Sequence, residues 1–347
     1  MKVLPLFMKK YFSLFVFIPL LTYAQNKVVL KKDKDNAIIK VSINKKPFTS
    51  FFFPDTLDKP VLYPIMAPNG STITRGFPLA PQKDDPTDHP HHIGLWLNYE
   101  NVNGLDFWNN SFAIPKEKKS QYGSIKMLGN PSFKCGKVGN LNYVSQWVNV
   151  SNEILLQEAT AFTFSEENGI WIIDRTTTLT AQKEVKFTDA KDGFLGLRVA
   201  HELQLPSKET KKFTDDKGNI TTIVATKDTI ANGNYINSNG IQGEEVWSKK
   251  AKWCLLYGKM GKDTISIAIL DHPKNIGYPT NWHARGYGLF AANPLGEKIF
   301  TNGKAERNLV LQKDESVTFK YRILIAAQIN VLSKNRIENL QKSFSSQ

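Results

Sequence analysis

The chain has 347 residues, with 45 Lys and Arg against 32 Asp and Glu, for a formal net charge of +13. A hydrophobic share of 41% with 22% charged residues is that of a folded globular chain and excludes a disordered or collagen-like polymer. The basic surplus suits an anionic partner. Lys and Glu are interspersed, however, as in Lys116-Glu117-Lys118-Lys119, without the aromatic interleaving of a nucleic-acid-binding face, so no nucleic-acid partner is expected.

At the N-terminus, Lys9 and Lys10 precede an apolar stretch from Tyr11 to Leu21, and Thr22-Tyr23-Ala24 ends in a small residue. This pattern predicts a cleaved secretory signal peptide over residues 1–24. Its apolar run is shorter than the ~20 residues that span a bilayer, so no membrane partner is expected. No cysteine follows the cleavage site, and a soluble, exported, periplasmic protein is predicted.

Residues 25–347 read as one β-sandwich domain. Strands are predicted at 27–31, 37–43, 142–150, 154–164, 170–180, 186–190, 194–205, 251–258, 264–270, 307–311 and 316–325, rich in Val, Ile, Thr and aromatics and punctuated by Gly, Asn, Asp and Pro. The charged stretch 206–223 reads as a solvated surface hairpin. Helical spacing is confined to Gln328–Lys342, where Ile329, Leu332, Ile337 and Leu340 recur. Many strands and no βαβ alternation predict an all-β antiparallel sandwich with a short C-terminal helix. Cys135 and Cys254 are the two cysteines, and spacing alone leaves a disulfide or two thiols open.

Five of the six histidines fall in three short segments: Asp88-His89-Pro90-His91-His92-Ile93-Gly94-Leu95-Trp96, Asp271-His272-Pro273 and Trp282-His283-Ala284-Arg285-Gly286-Tyr287-Gly288. Histidine carries protons near neutral pH, so the clustering points to a reaction site. Pro90 keeps the first segment extended, which predicts His89 and His91 on one side and His92 beneath. Asp88 is placed to fix an imidazole tautomer.

In the third segment His283, Arg285 and Tyr287 share a face if the chain is extended. Arginine suits a carboxylate or sulfate, and Trp282 and Tyr287 could stack on a sugar ring. Candidate walls are the turn-rich 68–78 loop carrying Arg75, the 102–109 segment carrying Trp108, Gly243–Trp247 with Glu244 and Glu245, and His201 after an apolar run. Three histidines and an aspartate are zinc-ligand types, but no His-x-x-x-His or Cys-x-x-Cys spacing supports a metal; no metal and no cofactor are predicted. Serine-hydrolase, Walker and dinucleotide motifs do not occur.

Several of these words recur together: Arg75-Gly76-Phe77-Pro78, the Asp88–Trp96 segment, Val102-Asn103-Gly104-x-Asp106-Phe107-Trp108, Gly196-Leu197-Arg198-Val199-Ala200, Asp271-His272-Pro273-x-Asn275, and Trp282 through Gly296. In this the chain resembles an exported Bacteroidetes family labelled "methane oxygenase PmoA", whose methane chemistry no motif here carries. Ile93 stands where members more often have Arg. The resemblance implies a galactose-mutarotase-like supersandwich encoded beside polysaccharide-degrading enzymes, similar to oligosaccharide dehydratases that act on ulvan.

The expected activity is therefore that of a carbon–oxygen lyase, removing water from the terminal uronic acid of an anionic oligosaccharide to leave a 4,5-unsaturated sugar. Arg285 or Arg75 would hold the carboxylate. One of His89, His91 or His92, with His283 and Tyr287, would divide the acid and base roles, and His201, Trp282 and Trp108 would line the substrate. The alternatives are a glycoside hydrolase using Asp106 with Glu244 or Glu245, a non-catalytic glycan-binding sandwich, and a metal-dependent enzyme.

Overall fold

The computed structural model describes residues 1, 27–34, 37–207, 211–215, 217–223 and 228–347. The predicted signal peptide lies outside the described residues. In chain order, β1 (Val28–Lys32), β2 (Ile38–Ile43), β3 (Lys46–Phe52), β4 (Val61–Ile65) and β5 (Leu95–Tyr99) come first. A meander follows: β6 (Ser124–Lys134), β7 (Gly139–Val148), β8 (Ile154–Glu167) and β9 (Ile170–Ala181). Next are β10 (Val185–Phe187), β11 (Gly193–Arg198), β12 (Lys211–Thr214), β13 (Ile220–Ile223), β14 (Asn234–Asn237), β15 (Trp253–Met260) and β16 (Asp263–Asp271). The chain closes with β17 (Asn281–Arg285), β18 (Leu289–Asn293), helix α1 (Glu297–Phe300), β19 (Leu309–Leu311), β20 (Ser316–Gln328) and helix α2 (Lys334–Ser345).

Of these strands, β10 pairs with β19 and β12 with β13, and the other sixteen make two antiparallel eight-stranded sheets. One has the order β1-β2-β3-β4-β5-β11-β18-β17, the other β14-β15-β16-β20-β9-β8-β7-β6. The expected antiparallel sandwich is thus what forms, with a C-terminal helix as predicted. Its physical origin is the period-two pattern: on β8, Leu156, Phe162 and Phe164 turn inward, and on β20, Tyr321, Ile323 and Ile325 do so. They meet Leu95, Leu97, Leu195, Leu197, Phe290 and Trp282 of the first sheet. Each such side chain removed from water contributes ~1.5–3 kcal/mol.

Helix α2 starts six residues later than the apolar spacing suggests. Ile329 is exposed, Gln328 still belongs to β20, and Ser333 caps the helix by accepting a hydrogen bond from the Arg336 backbone N–H. The helix covers the outer face of the second sheet, where Ile337, Leu340 and Phe344 pack on Ile170, Leu255, Leu324 and Trp253. No helix among the described residues is long and apolar enough to cross a membrane.

Cys135 and Cys254 are separate free thiols, the first exposed and the second buried. The 206–223 stretch does form a hairpin, β12 with β13, but it is not merely a solvated one. Its Phe213 and Thr214 are buried, and Lys212 and Thr214 share backbone hydrogen bonds with Asp84, Asp85 and Thr87. The hairpin therefore braces the segment that leads into the first histidine cluster.

Candidate active site

The first sheet presents one face to the core and the other to a set of long loops. Alternation sends Trp96 of β5, Gly196 and Arg198 of β11, Leu289 and Ala291 of β18, and His283 and Arg285 of β17 to that outer face. Pairing register aligns them in two rows, Trp96–Gly196–Ala291–His283 and, one step along, Arg198–Leu289–Arg285. The small residues keep the floor low. A Cβ at Gly196 would fall 2.5 Å from the Trp96 ring and 2.9 Å from the Trp108 ring, so the two indoles lie where any other side chain would stand.

Over this floor folds the histidine loop. The His92 N–H donates to the His89 carbonyl at 3.0 Å, closing a turn with Pro90 at its second position, where its fixed φ is favourable. His89 sits at φ +45°, a left-handed conformation that costs a non-glycine residue free energy and needs support. Arg75 supplies it. Its Nη1 donates to the carbonyls of Pro86 (2.9 Å) and Asp88 (2.5 Å), and its Nη2 to those of His89 (2.9 Å) and His92 (3.0 Å). Being 1% exposed, with Nη1 and Nη2 both donating to the loop, Arg75 is a structural anchor and not the expected carboxylate ligand.

The turn also overturns the predicted alternation. His89 aligns with His92, the rings 4.9 Å apart and parallel within 4°, while His91 is rotated by 79° from His89 and faces a different cleft. His89 further stacks on Tyr287, at 4.7 Å and 6°. The first histidine segment and the 282–288 ribbon therefore meet, although they are almost 200 residues apart in sequence. Tyr287 reaches this position from the β17–β18 turn, closed by the Gly288 N–H on the Arg285 carbonyl at 3.0 Å, with Gly288 at φ +94°.

Asp88 organises the charge. Its Oδ1 accepts from Arg198 Nη2 (2.6 Å) and Arg75 Nη1 (3.2 Å), and its Oδ2 lies 2.5 Å from His89 Nδ1. Burial alone would raise its pKa, but Arg198, His89 and Arg75 together hold it well below the usual carboxylate range. An ionised carboxylate only accepts, so Nδ1 of His89 carries the proton and Nε2 is the free nitrogen. The His89 side chain is 40% exposed, the open door of the group. Arg198 is completely buried, lies 5.1 Å over the Tyr287 ring, and has no partner for Nε or Nη1. Arg285 is half-buried, 5.5 Å from the Trp247 ring and 5.9 Å from that of Tyr287.

Burial sets the remaining protonation states. It pushes His91 down to about 2, further lowered by Lys59, and His283 down to about 3, further lowered by Lys191; His92 also falls far below its ordinary value. All three are neutral imidazoles at neutral pH. The Tyr287 hydroxyl is raised to about 12 by burial, so it keeps its proton. His283 is 2% exposed, with Nδ1 3.5 Å from Asp192 Oδ1. It supports the site from below and does not face solvent.

Other expected contacts are absent. Trp282 belongs to the core on the opposite face of β17, its Nε1 donating to the Ala251 carbonyl. Trp108 is buried against Trp96 and His92, behind the site. His201 pairs with Asp228 at 2.8 Å and stacks on Phe213 in a separate polar cavity of about 510 Å³. The second histidine segment is a turn: His272 Nδ1 accepts from the Lys274 N–H and its ring packs on Phe344 of α2. Sequence reasoning missed Arg198 and Asp192. The available signal for Arg198 was a lone charge ending the apolar β11. Among the described residues no group of three or more His, Cys, Asp or Glu is disposed to hold a metal ion.

A family model described as a family of unknown function (DUF6807) matches residues 38–342. No curated protein matches the chain. Solved structures with a similar course include the GH36 alpha-galactosidases AgaA and AgaB from Geobacillus stearothermophilus. AgaA is 11% identical over 87% of this chain and 41% of its own, with a TM-score of 0.39; AgaB is 10% identical over the same shares, at 0.40. The Slr1438 protein from Synechocystis sp. PCC 6803 is 9% identical over 92% of this chain and 99% of its own, at 0.30. The chain thus spans about two fifths of the galactosidases it matches.

Proposed function

The chain belongs to the DUF6807 family, and we propose that it is a carbohydrate-active carbon–oxygen lyase working on the outer face of the first sheet. The observation that carries this reading is the Asp88–His89 pair: an imidazole with one nitrogen held by a carboxylate, the other free, stacked on a phenol that keeps its proton and flanked by two arginines.

That set matches the three demands of β-elimination from a uronic acid. A cation must neutralise the carboxylate and so acidify the C5 proton, a base must take that proton, and an acid must assist the leaving hydroxyl. Arg285, without an ion pair among the described residues and partly open to solvent, is the carboxylate ligand. Nε2 of His89 takes the C5 proton. The C–H electrons form the C4–C5 double bond, the C4–O bond breaks, and the departing hydroxyl takes the Tyr287 proton to leave as water. Arg198 and Arg75 hold Asp88 so that the imidazolium formed on His89 stays oriented.

The substrate class, a uronate-terminated oligosaccharide of the ulvan kind met in the periplasm, follows from the resemblance noted in the sequence and from the unpaired arginine. The test is incubation of the purified chain with a panel of algal oligosaccharides, followed by ultraviolet absorbance of unsaturated uronates and by mass spectrometry. The reading expects a product one water lighter, lost in His89→Ala. A product one water heavier would replace it with hydrolysis, and full turnover by His89→Ala would remove the dyad from the chemistry.

A further inference from the structure

On the far side of the Pro90 turn from His89 lies a second cleft, of about 340 Å³, that the proposed reaction does not use. Its volume is at the low end of the ~300–1,000 Å³ typical of small-molecule sites. Phe77, Leu79, Ile93 and the prolines Pro78 and Pro90 form apolar walls, and Phe112, 71% exposed, stands at the lip. The inner end is polar. Lys59 is 4% exposed and donates one hydrogen bond, to the His91 carbonyl at 2.9 Å; the His91 ring, 8% exposed, has no partner for Nε2. Asp58, Asn110 and Ser111 complete that end.

We propose that this cleft is a binding subsite for one uncharged sugar ring, next to the ring that reacts. The chemistry of the walls selects the ligand. A wholly apolar occupant would leave the Lys59 ammonium with the His91 carbonyl as its one acceptor, which is costly in a buried site. An anion is not called for, because the charge of Lys59 is already set against Asp58 and Asp106, and Asp58 has Lys119 at 3.7 Å as well. A pyranose offers what remains: a C–H face for Phe77 and Phe112, and a rim of hydroxyls for Lys59 and the polar inner end of the cleft.

Position supports the assignment. The His89 and His91 rings are 5.7 Å apart on either side of one proline-locked turn, so a group at each ring is within the reach of neighbouring units in a short oligosaccharide. The role as a neighbouring subsite rests on the lyase reading; the binding of a neutral sugar in the cleft does not.

The experiment is saturation-transfer NMR on the full chain with methyl glycosides of neutral hexoses and 6-deoxyhexoses as probes, comparing wild type with Phe112→Ala and His89→Ala. Phe112 is exposed, so its truncation leaves the core intact. Binding is expected in the wild type, about fivefold weaker in Phe112→Ala as one ring contact is lost, and unchanged in His89→Ala. No binding by wild type, undiminished binding by Phe112→Ala, or equal loss in both variants would overturn the proposal. If the cleft binds these sugars while no oligosaccharide is dehydrated, the lyase reading alone fails.

Discussion

Two arginines, both essentially inaccessible, show opposite treatments of buried charge. In the second sheet Arg175 donates from Nε to Thr177 and from Nη2 to Tyr143 and Glu158, and Glu158 in turn accepts from Tyr143, Trp147 and Thr160 as well. That network is closed on itself between the sheets. On the first sheet's outer face Arg198 has a single ion pair, to Asp88, and two nitrogens left unanswered. A buried donor without a partner costs free energy that folding alone has no reason to accept. The saturated network lies in the core between the sheets, while the unsaturated one lies beneath Asp88 and Tyr287, where the proposed reaction would take place.

Substitutions can break or sharpen this contrast. The largest expected effect is on chemistry. Asp88→Asn should lower turnover by ~10²- to 10⁴-fold, by removing the charge that orients His89, and near-wild-type kcat would show the pair to be ornamental. Next, Glu158→Ala should cost about 3–5 kcal/mol in urea unfolding because Arg175 loses its counter-charge. Arg198→Leu should stay within about 1 kcal/mol of wild type, since it deletes unsatisfied donors and leaves Asp88 with Arg75. Equal destabilisation by the two would erase the distinction.

Gly196→Ala should destabilise by about 1–3 kcal/mol through the Cβ forced against Trp96 and Trp108, read as a lower midpoint in the same titration. The smallest effect concerns protons. Buried neutral His92 binds no proton in the folded chain, whereas the unfolded chain takes one up as pH falls through ~6.5. Its contribution is therefore intact above that pH and lost below it. His92→Phe should flatten the acid side of the stability curve by ~1.4 kcal/mol per pH unit, and an unchanged slope would show that His92 charges without unfolding.

Much of the fold was legible because half-buried strands alternate: every predicted strand overlaps an observed one. Among the strands that escaped notice are three of the first sheet, two of them in the floor of the site or beside it. Leu95–Tyr99 is buried on both faces and has no period to read, Val61–Ile65 contains Pro64, and Leu289–Asn293 is a short, fully buried run. For the candidate site, residue types singled out His89 and Tyr287, which the fold brings into contact. Their arrangement was not readable, since one positive φ at His89 undoes an extended-chain alternation. Trp282 misled for the converse reason: sequence does not say which face of a two-sided strand is wet.

The order of the first sheet has a consequence for how the molecule is made. β5 pairs with β11 and β11 with β18, so the floor under His89 joins stretches from three distant parts of the chain. During synthesis from the N-terminus, the imidazole loop emerges long before Arg285 and Tyr287 exist to meet it. Such late, non-local closure is slow, on the order of milliseconds to seconds. A nascent or truncated chain ending before residue 280 would hold the histidines yet lack the ribbon that faces them.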